Sequence, residues 1–176
     1  MSLRQRFLAA GLAAAVLGLT GCGYALVGRA TNIPDDVRQV YVQAFENQTQ
    51  RTQAEQFLTE AIADELVTRQ RFSVVSSPTD ADAVLSGSVV GFGVTPVTFD
   101  TQGRATEYEI AITARVAFRR SGPEGEVLWS NDRYLFRENY PVEVDAVDYF
   151  DREDLALEEA SRRFAETMVA DLLEGF

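Results

Sequence analysis

The clearest strand pattern in the chain lies in residues 107–119, EYEIAITARVAFR. Apolar or aromatic side chains occupy every second position from Tyr108 to Phe118, and polar residues such as Thr113 and Arg115 alternate with them. Because successive side chains of a strand point to opposite faces of a sheet, this pattern predicts a long strand with one buried face. The opposite, polar face is expected to be partly exposed or to meet a partner.

Weaker patterns on both sides extend the prediction to a complete domain. Strands are predicted at residues 37–45, 72–75, 83–97 and 127–140. Apolar residues that recur at intervals of three and four predict helices at about residues 53–68 and 151–173. The order strand, helix, four strands, helix predicts an α+β two-layer sandwich. We expect two helices packed on one face of a mostly antiparallel, four- to five-stranded sheet.

Local signals refine these elements. Thr52 and Glu55 have the spacing of a capping box at the start of the first helix. Glycines at positions 87, 91 and 93 indicate bulges or sites of close approach, and Pro96 indicates a sheet edge. The strand pattern of residues 127–140 is interrupted at positions 131 and 132, where a second bulge is expected.

The N-terminal region carries the sequence features of an exported, lipid-anchored protein. Two arginines precede an apolar stretch at residues 7–19, and Leu19-Thr20-Gly21 leads to Cys22, the only cysteine. This arrangement is typical of a secretory signal peptide, and its end resembles the lipobox of bacterial lipoproteins. The apolar stretch is too short for a membrane span of about 20 residues. A plain secretory signal with an incidental cysteine remains the alternative.

These signals divide the chain into three predicted parts. Residues 1–21 are predicted to be a lipoprotein signal peptide, residues 22–36 a lipidated lead-in, and residues 37–176 a single α+β domain. Cys22 is the predicted lipid-attachment residue. The residue after the cysteine is Gly23, whereas an inner-membrane retention signal would resemble Asp at this position. The outer membrane is therefore the expected location.

Composition excludes several classes of function. The net charge is −11, and because the predicted signal peptide contains two arginines and no acid, the mature chain carries −13. Binding to nucleic acid through bulk charge is therefore excluded. The chain has no His and no second Cys, which excludes Ser-His-Asp and Cys-His catalysis and zinc or copper sites built from those residues. We expect no catalytic residues, no metal and no cofactor.

Several stretches of the mature chain resemble the LptE family of lipopolysaccharide-assembly lipoproteins. The first is residues 21–28, GCGYALVG, directly at the predicted lipidation site. Others follow in the order that the family shows, namely VQAFEN at 42–47, ADAVLSG at 81–87, YEI at 108–110, EVLW at 126–129 and LEGF at 173–176. None of these stretches is a catalytic signature. The resemblance rests on the ordered set after a lipobox.

The resemblance implies a non-enzymatic protein of the outer membrane. Such a lipoprotein plugs the large β-barrel LptD and helps to insert lipopolysaccharide into the outer leaflet. Family members are described as using basic residues against the phosphates of lipopolysaccharide. The candidates here are Arg104, Arg115, Arg119 and Arg120, and a hairpin is expected to bring Arg104 close to Arg119. The competing interpretation is that these arginines are solubilising charges at strand ends.

Other interpretations stay open at this point. The main alternative is another small periplasm-facing lipoprotein that acts as a scaffold or as a secretion-pore subunit. A carboxylate hydrolase is more remote, because acids at the start of a helix or in turns have structural roles. Calcium binding at Asp80 and Asp82 lacks the usual loop pattern. Arg162 and Arg163 are expected to pair with neighbouring glutamates, and the triplet at Asn47 matches a glycosylation acceptor that bacterial lipoproteins rarely use.

Overall fold

The computed structural model describes residues 33–122, 125–141 and 149–175. For residues 149–154 it describes the backbone but not the side chains. Its strands are β1 (Gln39–Val42), β2 (Glu46–Asn47), β3 (Ser73–Val75), β4 (Ala83–Phe99), β5 (Ala105–Arg120) and β6 (Val127–Pro141). Its helices are α1 (Ala54–Thr68) and α2 (Tyr149–Glu174), and a short 3-10 turn lies at Pro78–Asp80. The predicted signal peptide and Cys22 lie outside the described residues.

The strands form one mixed sheet. Their order is β3-β1-β4-β5-β6, and β2 adds a two-residue pairing to β4. The long strands β4, β5 and β6 pair antiparallel, whereas the short strands β1, β2 and β3 pair parallel. The predicted α+β fold with a mostly antiparallel sheet is confirmed.

Both helices cover the same face of the sheet. Helix α1 buries Ala54, Leu58, Ile62 and Leu66. Helix α2 contributes a longer buried stripe that contains Leu157, Ala160, Phe164, Met168 and Leu172. Both stripes follow the helical period read from the sequence, because only residues three or four apart share one face. None of the described helices is long and apolar enough to cross a membrane.

Strand β5 has the predicted division into two faces. Its side chains Ile110, Ile112, Ala114, Val116 and Phe118 are buried beneath the helices. The alternate residues include Thr113, which is half-buried, and Arg115 and Arg119, which are exposed. We call the sheet face that carries these alternate residues the open face. The buried layer between helices and sheet is the core of the domain.

The predicted capping box is wrong. Helix α1 starts after Gln53, which has a positive φ of 65° and makes no side-chain cap. The carboxylate of Glu55 instead accepts a hydrogen bond from Asn47 Nδ2 at 2.6 Å. A tertiary partner from β2 has therefore replaced the local partner, Thr52, that the sequence spacing indicated.

The glycines of β4 have distinct structural roles. Gly87 lies where β4 and β5 pass beneath Phe45, and a Cβ at Gly87 would lie 2.7 Å from the carbonyl oxygen of Arg115. The pairing of β4 with β5 shifts register between Val89 and Gly91, which confirms a bulge there. Pro96 lies in the part of β4 that pairs only with β5 among the described residues, in agreement with an edge position.

Candidate functional site

The length of β5 separates the predicted basic residues. Arg104 precedes the strand and Arg119 lies at its far end. At about 3.3 Å per residue, the two backbone positions are about 50 Å apart. The expectation that a hairpin brings Arg104 close to Arg119 is therefore wrong. The turn that follows Arg119 and Arg120 joins β5 to β6, whereas Arg104 belongs to the turn between β4 and β5.

Arg104 is held by the turn in which it lies. Asp100 Oδ1 accepts hydrogen bonds from the backbone N–H groups of Gln102 and Arg104, at 2.8 and 2.9 Å. Asp100 Oδ2 accepts a third bond from Arg104 Nε at 2.8 Å. The backbone bond from Arg104 is the main cause that lowers the pKa of Asp100. A ligand phosphate at Arg104 would have to compete with this carboxylate.

Arg120 connects the end of β5 to the segment that precedes β1. Its Nη1 donates to Asp36 Oδ2 at 2.8 Å, and its Nε lies 3.7 Å from Glu126 Oε2. The hydrogen bond from Arg120 is the main cause that lowers the pKa of Asp36. Sequence reasoning missed this pair, since the partners are 84 residues apart and no local pattern links them.

Asp82 holds the start of β1 against β4. Its Oδ2 accepts backbone hydrogen bonds from Arg38 at 2.9 Å and from Gln39 at 2.8 Å. The bond from Gln39 contributes most to the lowered pKa of Asp82. The same carboxylate was a calcium candidate from sequence, but one of its oxygens already has two donors. The described part of the chain contains no group of three or more potential metal ligands.

Arg115 and Arg119 are the two candidate arginines that are exposed and have no ion pair with a residue that the structure describes. Both are exposed on the open face of β5, four positions and about 13 Å apart. Neither forms an ion pair with a residue that the structure describes. Their cross-strand neighbours on β4 are the uncharged Ser88 and Val84. These two arginines can therefore meet an anion without first losing a carboxylate partner.

The remaining sequence candidates have structural partners. Arg163 Nε lies 3.0 Å from Glu159 Oε1, and Arg162 pairs with both Glu159 and Glu166, as expected for helical spacing. The side-chain nitrogen of Asn47 donates to Arg51 O at 2.7 Å in addition to its bond with Glu55. The nitrogen that glycosylation would use is thus already engaged within the turn.

The aromatic side chains of β6 pack inside the domain. Tyr134 and Phe136 are buried, and both rings meet Phe164 of α2 edge-on, at centroid distances of 5.4 and 6.0 Å. Trp129 is also buried and lies 6.4 Å from the Tyr134 ring. Their packing agrees with a core role, because aromatic pairs of this geometry stabilise cores.

The fold and these residues define the class of the protein as a small α+β sandwich with one helix-covered and one open sheet face. Two exposed arginines without a described ion pair, Arg115 and Arg119, lie on the open face. The chain belongs to the LptE lipopolysaccharide-assembly family, whose model matches residues 37–172. That match includes β1 to β6, α1 and most of α2.

Two solved structures share this fold at low sequence identity, and a third is similar at a lower score. Hypothetical protein CT253 from Chlamydia trachomatis is 11% identical with a TM-score of 0.53, over 80% of this chain and 97% of that one. A putative lipoprotein from Caulobacter crescentus is 18% identical with a TM-score of 0.51, over 76% and 87%. Rare lipoprotein B from Shewanella oneidensis is 16% identical, with a TM-score of 0.49 over 77% and 93%. No curated protein sequence matches the chain.

Proposed function

We propose that the protein is an outer-membrane lipoprotein that plugs and helps to assemble an LptD-type β-barrel. In this role it assists the insertion of lipopolysaccharide into the outer leaflet. The observation that carries the proposal is the family match over residues 37–172, which covers most of the folded domain. The sequence before the domain supports it, because Cys22 follows a basic and apolar leader as a lipid-attachment cysteine would.

The character of the domain surface suits a barrel lumen. The interior of a large outer-membrane barrel is polar, and a mature net charge of −13 gives the plug a polar exterior. The helices are also well supplied with surface charge, as the pairs of Arg162 and Arg163 with Glu159 illustrate. The apolar residues of the domain are gathered mainly in the layer between helices and sheet.

Lipopolysaccharide phosphates are the ligands that we assign to the arginines. A guanidinium group binds phosphate through paired, charge-assisted hydrogen bonds. Arg115 and Arg119 are accessible for such bonds on the open face. Arg104 and Arg120 belong to the same proposed set, but each must exchange a carboxylate, Asp100 or Asp36, for the phosphate.

A non-enzymatic role follows from the same proposal. Transfer of a preformed lipid requires binding and orientation rather than bond cleavage. Two acids of the domain, Asp36 and Asp82, have structural partners, because Asp36 binds Arg120 and Asp82 accepts backbone bonds at the start of β1. No cofactor is needed for this work.

Copurification from native membranes tests the barrel partnership. The full-length protein with a C-terminal affinity tag is extracted in mild detergent, and its partners are identified and quantified by mass spectrometry. A large outer-membrane β-barrel in about equal amount is the expected result. Recovery without such a barrel, or with a periplasmic scaffold or a secretion pore instead, would contradict the proposal. Depletion of the protein should also lower the amount of surface-exposed lipopolysaccharide.

A further inference from the structure

One edge of β4 is occupied along only part of its length. On the side away from β5, β1 pairs with residues 83–85 and β2 pairs with residues 88 and 89. Beyond Val89, the described residues provide no further backbone partner on that side. Within the part of the chain that the structure describes, residues 90–99 therefore present a free strand edge, which we call the β4 edge.

The β4 edge has only part of the usual protection against strand pairing, because Pro96 and two register shifts lie at its far end and one register shift lies at its start, between Val89 and Gly91. Residues 90–99 read VGFGVTPVTF and contain no charged side chain, in a chain with a net charge of −11. Natural proteins protect free edges with charges, bulges, prolines or short strands. The outer edge of β6 follows this practice, because it contains four charged residues and a bulge and ends at Pro141. The outer strand at the opposite side of the sheet, β3, has only three residues.

The β4 edge is also accessible to another backbone. Residues 90–94 are partly exposed and residues 95–99 are exposed. Gly91 and Gly93 leave little side-chain bulk on the open face, and a Cβ built at Gly93 would meet no atom within 4 Å. Pro96 lacks an N–H group and lies beside a register shift. Regular pairing is therefore expected over residues 90–95.

We propose that the β4 edge accepts an extended, uncharged segment of the β-barrel partner as an added strand. Strand addition gains its affinity from main-chain hydrogen bonds along an open edge. The short strand β2 pairs with Ser88 and Val89 directly before this edge, and Gln48 N, which follows β2, donates to Val89 O at 2.9 Å. The added strand would continue along the same side of β4. The identity of the partner rests on the function proposed above.

The size of the edge argues for a tethered segment rather than a second copy of this chain. A stable interface between two proteins buries about 1,600 Å² in total, and pairing along six residues covers far less. A segment of a barrel that already encloses the domain does not need a large contact area of its own. The rest of the contact between barrel and domain keeps the local concentration of the segment high. The absence of charge on the edge matches an uncharged segment.

Hydrogen–deuterium exchange tests the pairing directly. Exchange is measured on the full lipoprotein alone and in its complex with the copurified barrel. Those amides of residues 90–95 that point away from β5 should exchange at least about tenfold more slowly in the complex, because new hydrogen bonds protect them. The matched control is the β6 edge, for which we expect a smaller change. Unchanged exchange at residues 90–95 in an intact complex overturns this inference and leaves the proposed function standing. Failure to recover any barrel overturns both.

A protective charge tests the same edge by mutation. Thr95 is exposed, so Thr95→Lys adds a charge to the edge without disturbing the core. We expect at least about threefold less barrel to be recovered with this variant, and unchanged recovery with Thr95→Ser. Asn139→Lys, at an exposed position of β6, is the matched charge control and should retain the barrel. Equal recovery with both lysine variants, or a photo-crosslinker at position 95 that reacts only within this chain or with a second copy, overturns the proposal.

Discussion

Tyr134 on β6 donates a hydrogen bond to Asp171 Oδ2 on α2 over 2.5 Å. The tyrosine is buried, and its ring packs against Phe164 of the same helix. Burial is the main cause that raises the pKa of Tyr134, and the bond to Asp171 raises it further. This pair connects the last helix to β6, an outer strand of the sheet that has only one neighbouring strand among the described residues.

Removing the hydroxyl group should loosen this connection. Tyr134→Phe keeps the ring and leaves the half-buried Asp171 carboxylate without its donor. We expect the free energy of unfolding to fall by about 2 kcal/mol, as is typical for a hydrogen bond to a charged group. Urea unfolding measures the change. The matched control is Tyr108→Phe, because the Tyr108 ring stacks on Tyr140 and the hydroxyl has no described partner. A similar loss in both variants would contradict the role of the bond.

The pH dependence of stability gives the same pair a second readout. A raised pKa means that the folded state favours the protonated hydroxyl of Tyr134. The resulting stabilisation is complete below the ordinary tyrosine pKa of about 10 and is lost as the pH rises above it. The urea midpoint of the wild-type protein should therefore fall as the pH rises from about 10 to 11. Tyr134→Phe should fall less steeply, and parallel curves would contradict this assignment.

Gly87 is required where β4 crosses beneath Phe45. A Cβ at this position would collide with the Phe45 ring and lie 2.7 Å from the carbonyl oxygen of Arg115. Gly87→Ala should therefore lower the free energy of unfolding by about 1–3 kcal/mol, the usual cost of overpacking. Gly93→Ala is the control on the same strand, since its Cβ would enter open space. Equal unfolding midpoints for the two variants would show that Phe45 moves aside at no cost.

The long elements could be predicted because their burial is periodic. Strands expected at residues 83–97 and 127–140 are observed at Ala83–Phe99 and Val127–Pro141. The strand expected at residues 37–45 is observed only as Gln39–Val42. This part of the chain also contains the two-residue β2, and pairings this short leave too few alternations to be recognised. The alternation of apolar and polar residues thus identifies only those elements that are long enough to repeat it several times.

The candidate site was harder to predict because it depends on pairing between distant residues. Sequence analysis identified the arginines but grouped Arg104 with Arg119, which the full length of β5 separates. It also missed the bond between Asp36 and Arg120, which lie 84 residues apart in the sequence. Strand register decides both outcomes, and composition and spacing contain no information on that register.

Charge removal on the open face should weaken lipopolysaccharide binding. Arg115→Gln combined with Arg119→Gln removes two accessible cations that have no described ion pair. We expect about tenfold weaker binding of purified lipopolysaccharide, which corresponds to about 1.4 kcal/mol. A displacement assay with labelled lipopolysaccharide at fixed salt measures it.

The control for this variant must change charge on the opposite side of the sheet. Arg162→Gln on α2 removes one cation from the helix layer, where Arg162 pairs with glutamates. It should leave lipopolysaccharide binding within about twofold of the wild-type value. Arg120→Gln is not a suitable probe, because it also breaks the bond to Asp36 and so changes stability. Equal binding by the double variant and the wild-type protein would retire Arg115 and Arg119 as phosphate contacts.

Cys22→Ala should prevent attachment of the protein to the membrane by lipid. Without the thiol no thioether to a diacylglycerol can form, and the signal peptide should no longer be removed at residue 22. Stable membrane anchoring takes more than one acyl chain, so a mature product without lipid would have no comparable affinity. Mass spectrometry of the N-terminal peptide and membrane fractionation measure both effects, with Thr20→Ser as a control that keeps the cysteine. A Cys22→Ala protein that is cleaved normally at residue 22 would show that the leader is an ordinary secretory signal.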